Sequence, residues 1–234
     1  MHSSALHGSA ADRVYTYVRD AILARRFTDT ELLAEGRIAE ETGVSRTPVR
    51  EALLRLESEG MVRLLPKRGA LVVPVGAKEW CDLVATRRLI ESHCAAVVVA
   101  SGRGPLVREL LADPIERQRV SAQAGDSPGY VSADRDFHNT IVAAADNQIL
   151  SRVYASLRDR QLLMGSVNLL DPSGATDRGR MAEFLAEHEQ IAHALTDPDP
   201  AVVQRLISDH LDHAAARLTG DVRFDAVLPE RTPA

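Results

Sequence analysis

Aromatic residues are scarce, at 4% of 234 residues with a single tryptophan. A core with so few rings must be built from Leu, Val, Ile and Ala, and that mix favours helix-on-helix packing over a sandwich. Cysteine is nearly absent. Cys81 and Cys94 lie 13 positions apart, a spacing of neither a zinc knuckle nor a redox pair. They read as reduced thiols within a helical pattern, and no disulfide framework argues for secretion. No apolar run is long enough to span a membrane. The opening "MHSSALHGSA" has neither a positive n-region nor an apolar h-region, so residues 1–10 read as a loose tail rather than a signal peptide. The expected location is cytoplasmic, with no membrane partner.

An excess of positive charge is missing too. The net charge is −5, which on its own argues against a nucleic-acid binder. The distribution is uneven, however. Residues 12–75 carry 11 Arg/Lys against 10 Asp/Glu, whereas residues 76–234 carry 17 against 23. A near-neutral domain can still read DNA if its arginines cluster on one face.

What is present is helical periodicity. Residues 11–25 place Val14, Val18, Ile22 and Leu23 on one face. Residues 35–42 give a short second helix stopped by Gly43. A third helix runs to Gly60, and two β-branched runs, "MVRLL" and "ALVVPV", joined by "PKRG", then signal a hairpin. Helix, helix, helix, hairpin is the order of a winged helix-turn-helix. Beyond residue 76 the β signal disappears. The patterns at 78–102, 105–125 (broken at Pro114), 128–147, 148–170, 180–197 and 200–220 predict an all-α bundle of about six helices. The expected organisation is a tail (1–10), a winged domain (11–76), a helical domain (77–220) and an irregular tail (221–234). The expected fold is mainly α with one small β-hairpin.

The third helix begins oddly. In "GVSRTPVREALLRLESEG", Ser45 or Thr47 is the candidate N-cap, and Pro48 sits where a missing amide removes no hydrogen bond. Val49, Ala52, Leu53 and Leu56 form an apolar stripe, and Glu51 and Arg55 are spaced as an ion pair. Arg46 and Arg50 crowd the first turns, where cations oppose the helix dipole. A partner outside the fold would compensate, and arginine suits bidentate contact with guanine or phosphate. The hairpin tip adds Lys67, Arg68 and Gly69, the glycine allowing close approach of backbone to a duplex.

In the second half, "ADRDFHNTI" sets Asp134 and His138 four apart on one helix face. His188 shares a face with Ile191 and Leu195, and His210 with Leu206, Ala214 and Leu218. One Asp and three His converging inside a bundle would bind zinc, nickel or manganese. His93, His193 and His213 read as structural or exposed.

The stretch "RIAEETGVSRTPVREALLRLESEGMV…PKRGALV" closely resembles the DNA-binding domain of GntR-type bacterial transcription regulators. The resemblance spans about residues 12–75 and implies that Ser45, Arg46, Thr47 and Arg50 contact operator DNA, with Gly69 at the wing. Two places before the "LA" with which the second helix opens in many members, where they have a basic residue, this chain has Gly36, and Arg37 follows one place later. The loop "TDTELLAEG" also lacks the Pro-Gly common there. The order "RLIE" at 88–91 with Arg87 before it, Asp134 and His138, "EHEQI" at 187–191 and "HL" at 210–211 resembles the FCD effector domain of the FadR subfamily. That resemblance implies metal ligands Asp134, His138, His188 and His210, zinc foremost, and a small carboxylate effector bound beside the metal. Arg87 suits a carboxylate partner. The expected function is a dimeric, metabolite-responsive repressor of operator DNA. Two alternatives stand beside it: a metal-dependent hydrolase or lyase using the Asp/His centre, and a metal-stapled dimerisation domain with no effector.

Overall fold

A computed structural model describes residues 9–219 except 24, 25, 29, 67, 74, 75 and 172. Of the predicted tails, residues 1–8 and 221–234 lie outside the described residues, as do Lys67 and the side chains of Leu23 and Leu218, while Ala10, expected in the tail, already begins the first helix. The chain divides into two compact units, Met1–Val75 and Gly76–Ala234.

The first unit contains α1 (Ala10–Leu23), β1 (Leu32–Leu33), α2 (Glu35–Thr42), α3 (Arg46–Ser58), β2 (Val62–Leu65) and β3 (Gly69–Val72). Val14, Val18 and Ile22 are buried on α1, against the α3 stripe Val49, Ala52, Leu53 and Leu56. Gly43 ends α2 in the left-handed region, at φ 66°. Ser45 is the N-cap residue of α3, so Pro48 is the third helical residue, still among the positions without an intrahelical acceptor. Arg55 does not turn to Glu51. It approaches Glu59 at 3.3 Å and Asp12 at 3.6 Å, and its guanidinium covers the Tyr15 ring at 3.7 Å. Tyr15 in turn donates to Glu59 at 2.8 Å, which ties α1 to α3.

The hairpin is part of a three-stranded sheet in the order β1-β3-β2. The third strand, β1, is only Leu32–Leu33, too short for any alternation to announce it. It changes the reading of Gly69. At φ +112° a Cβ on Gly69 would stand 2.1 Å from the Leu33 carbonyl oxygen. The close approach at the wing is therefore to the chain's own β1, with Leu33 opposite Ala70 in register. Gly69→Ala is expected to lower the stability of this unit by at least about 2 kcal/mol, through strain at a glycine-only conformation and a backbone clash. Chemical denaturation checks this, and an unchanged midpoint would contradict the β1–β3 contact.

The second unit is helical: α4 (Ala77–Ala100), α5 (Gly104–Leu110), α6 (Ala112–Ala124), α7 (Ser127–Ala144), α8 (Gln148–Ser156), α9 (Arg158–Asn168), α10 (Arg178–Ala194) and α11 (Pro200–Thr219). The described residues thus form eight helices here, not six, because two expected helices are split. The first break falls at Leu111, and Pro114 lies inside the first turn of α6. The second falls at Leu157, within the pattern read as one helix over 148–170. Pro114 marks the first break, since it has no amide to bond the Leu110 carbonyl, but no Gly or Pro marks the second. Leu111 and Leu157 have ψ of −10° and −6°, and each is held by packing. Leu111 is fully buried, and Leu157 packs on a cluster containing Ile90, Val142 and Tyr154. At Leu157 tertiary burial overrides the local periodicity. The long α4 packs against α7 and α11, and α6 and α10 flank them. No helix among the described residues is long and apolar enough to cross a membrane.

Candidate metal centre and DNA-facing helix

Within the second unit, α7 supplies Asp134 and His138, α10 supplies His188 and α11 supplies His210. One ligand atom from each lies within 4.8 Å of the others. The three histidines are buried and Asp134 is partly exposed. Asp134 Oδ1 is 3.8 Å from His138 Nε2 and 3.5 Å from His188 Nε2. His188 Nε2 and His210 Nε2 are 3.3 Å apart.

The outward nitrogens decide what these atoms can do. His188 Nδ1 is 2.7 Å from Gln118 Oε1, His210 Nδ1 is 2.8 Å from Glu187 Oε2, and His138 Nδ1 is 2.7 Å from Glu91 Oε2. Oxygens of Gln118 and Glu187 at the Nδ1 atoms of His188 and His210 suit protonation there, with Nε2 turned inward to ligate, whereas the His138 Nδ1–Glu91 contact lacks hydrogen-bond geometry. Burial, with the other histidines adding to it, holds His188 well below its ordinary pKa. Burial also lowers His210, outweighing Glu187. His188 and His210 bring their Nε2 atoms to 3.3 Å, close enough for both to reach one ion. His138 Nε2 is buried and has no hydrogen-bond partner in the protein. Three imidazole nitrogens and one carboxylate oxygen form a donor set that suits zinc, nickel or manganese. Outer acceptors of this kind fix ring orientation and raise ligand basicity.

Arg87 stands beside this cluster on α4. Its Nε donates to Glu91 Oε1 at 2.8 Å, and Tyr154 Oη donates to the same oxygen at 2.5 Å. Burial alone would lower the Arg87 pKa, but Glu91, with Tyr154 and Asp134, raises it. The buried Glu91 carboxyl is held far below its usual range against its own desolvation, first by Arg87 and then by His138. Arg87, Glu91 and His138 thus form one connected polar chain. Of the remaining histidines, His93 and His193 are exposed, and His213 Nδ1 contacts Glu187 at 2.6 Å.

In the first unit, Ser45, Arg46, Thr47 and Arg50 are all exposed at the start of α3. The Ser45 side chain makes no capping bond. Arg50 is 68% exposed, with its Nε 3.7 Å from Glu35. The Arg46 guanidinium lies across Gly36, 3.6 Å from where a Cβ would stand. Arg37 bonds Glu41 at 2.8 Å and Glu31 at 3.0 Å and lies over the Phe27 ring. Exposed pairs of this kind contribute at most about 1 kcal/mol, so a phosphate could replace them. Arg68 is exposed and closes the wing turn, its amide donating to Leu65 at 3.0 Å.

Two family models match the chain: "Bacterial regulatory proteins, gntR family" over residues 10–72, and "FCD domain" over residues 82–213. The chain belongs to the GntR family and carries an FCD domain. The gluconate operon transcriptional repressor of Bacillus subtilis (strain 168) is 29% identical to this GntR regulator over 211 residues, covering 87% of this chain and 83% of that one. The Uxu operon transcriptional regulator of Escherichia coli (strain K12) is 27% identical over 240 residues, covering 92% and 91%. The crystal structure of a putative transcriptional regulator GntR from Rhodococcus sp. RHA1 superposes with a TM-score of 0.74 at 26% identity, covering 92% of this chain and all of that one. This GntR-family protein is a transcriptional regulator and not an enzyme, so the hydrolase or lyase alternative falls.

Sequence reasoning singled out the four converging residues and Arg87 but missed Glu91, Gln118, Glu187 and Tyr154. Glu91 and Glu187 stood inside the quoted "RLIE" and "EHEQI", beside Arg87 and His188. Gln118 lay in a helix with no motif, and only the fold brings it to His188.

Proposed function

We propose that the chain is a homodimeric, cytoplasmic repressor whose helical unit holds one divalent metal ion on Asp134, His138, His188 and His210, and releases operator DNA when a small organic acid binds beside it. The observation that supports the metal is the convergence of one ligand atom from each of these four residues to within 4.8 Å. Bound there, the ion would supply Lewis acidity toward a carboxylate oxygen. Arg87 would take the other end of that carboxylate, and the chain Arg87–Glu91–His138 ties acid binding to metal binding. The cavity beside Arg87, Asp134 and His210 is about 30 Å³, room for a water or two. An organic acid therefore has to part its walls, and that local displacement is the event a dimer can transmit to its DNA-binding units. The relative named for the gluconate operon makes gluconate the first acid to test.

On DNA, the α3 residues Ser45, Arg46, Thr47 and Arg50 would enter a major groove, while Arg37, Lys67 and Arg68 meet phosphate. Gly69 serves the wing by holding it to β1. A two-fold dimer would read a near-palindromic operator. The test is operator affinity by fluorescence anisotropy with chelator, with added zinc, and with zinc plus gluconate. The expected result is a fall of about 5- to 150-fold on adding acid, seen only when metal is loaded. Metal-dependent melting without any acid response would favour the structural staple instead.

A further inference from the structure

The exposed face of α3 continues past the residues assigned to the operator. Beyond Arg50 it runs through Glu51 to Leu54, both exposed. Among the described residues of the first unit, only Leu32 and Leu54 are large apolar side chains left in solvent, with Leu54 at 53% exposure. Leu32 belongs to the two-residue strand β1. Leu54 stands in mid-helix, four residues after Arg50 and seven after Thr47. Side chains at those intervals share one face. The buried stripe Val49, Ala52, Leu53 and Leu56 occupies the other side of the helix. A single exposed leucine is ordinary on a protein surface. This one is distinguished by its place, in line with the arginine and threonine that face DNA.

Dimensions and charge narrow what Leu54 meets. From Thr47 to Leu54 the helix rises about 10 Å, and a major groove is about 12 Å wide. A helix lying in the groove therefore carries this whole face past base edges and their flanking phosphates. Phosphate is the poorer partner for the Leu54 end. Leucine offers it no donor, and the neighbouring Glu51 repels it. The Glu51 carboxylate is exposed, and Arg55 turns away from it toward Glu59 and Asp12. On the base edges of the major groove there is one apolar group, the C5-methyl of thymine.

We propose that Leu54 is a specificity-determining residue that packs on a thymine C5-methyl in each operator half-site. This rests on the reading of α3 as the DNA-entering helix and adds a base to what that helix selects. Arg46 and Arg50 make charge-assisted contacts. Leu54 adds a preference that no charge supplies, because an apolar side chain gains from the methyl and from nothing else on the groove floor.

The test uses the full-length protein without added acid. Its operator is first selected from randomised duplexes. Each thymine is then replaced in turn by uracil, which pairs identically and lacks only the methyl, and fluorescence anisotropy reads the affinity. At one thymine per half-site the exchange is expected to weaken parent binding about three- to tenfold, the contribution of one buried methyl. Leu54→Ser should bind the thymine operator more weakly by a similar factor and be indifferent to uracil at that position, since the contact is already gone. Leu54→Met, which keeps an apolar side chain, should retain the penalty. Leu54→Gln serves in place of Leu54→Ser should that variant not fold. Equal uracil penalties in the parent and the polar variant at every thymine would overturn the proposal, as would no penalty at any thymine. If Arg50→Ala weakens binding in the same assay, only the role of Leu54 falls. If Arg50→Ala binds as the parent does, or no duplex is enriched, the reading of α3 falls with it.

Discussion

A His188→Ala protein is expected to retain less than about a hundredth of the parent's metal affinity, since loss of even an outer partner of a ligand typically weakens binding about 10- to 100-fold. The reasons are local. His188 is fully buried, and its Nε2 is within 3.5 Å of both His210 Nε2 and Asp134 Oδ1. Its loss takes one ligand atom from the set and leaves the Gln118 amide without its 2.7 Å partner. Elemental analysis after dialysis reads the outcome. His193→Ala is the control, because His193 is exposed on the same helix and lies outside the cluster. Near-complete metal in the His188 variant, or equal loss in the His193 variant, would refute the assignment. Circular dichroism separates loss of metal from loss of fold.

Arg50→Ala is expected to weaken operator binding by about ten- to a hundredfold, the range for a base- or phosphate-reading arginine. The side chain is 68% exposed, and its only recorded ionic neighbour among the described residues is Glu35, at 3.7 Å. Folding stability should stay within about 0.5 kcal/mol of the parent. If the contact is to phosphate, the salt dependence of binding should also fall by about one charge. Anisotropy titrations at several salt concentrations check both. Unchanged operator affinity would remove Arg50 from the interface.

The two halves were legible in the sequence to different depths, for physical reasons. In the first unit, Val49, Ala52, Leu53 and Leu56 follow a clean helical period and are buried as expected. Leu32 and Leu33 were opaque, because a two-residue strand exists only through its pairing with Leu71 and Ala70. That pairing by itself requires a glycine at position 69. In the second unit, Asp134 and His138 declared themselves by local spacing, and His188 and His210 by sharing faces with apolar residues. Pro114 announced the break at Leu111 to within three residues, whereas the break at Leu157 carried no signal, since packing rather than a breaker residue makes it. Gln118 carried none either. It is ordinary in its own helix and acquires meaning only where α6 brings it to the cluster. Arg55 was misread by the same logic: a helical spacing offered Glu51, and the Tyr15 face with Glu59 and Asp12 won.

The central claim is that four side chains from α7, α10 and α11 hold one divalent ion. Anomalous diffraction from crystals of the zinc-loaded protein tests it most directly. The account predicts a single strong peak in this unit, about 2.0–2.2 Å from the Nε2 atoms of His138, His188 and His210 and from an Asp134 oxygen. An anomalous map with no peak among those four atoms, from protein saturated with zinc, would contradict it.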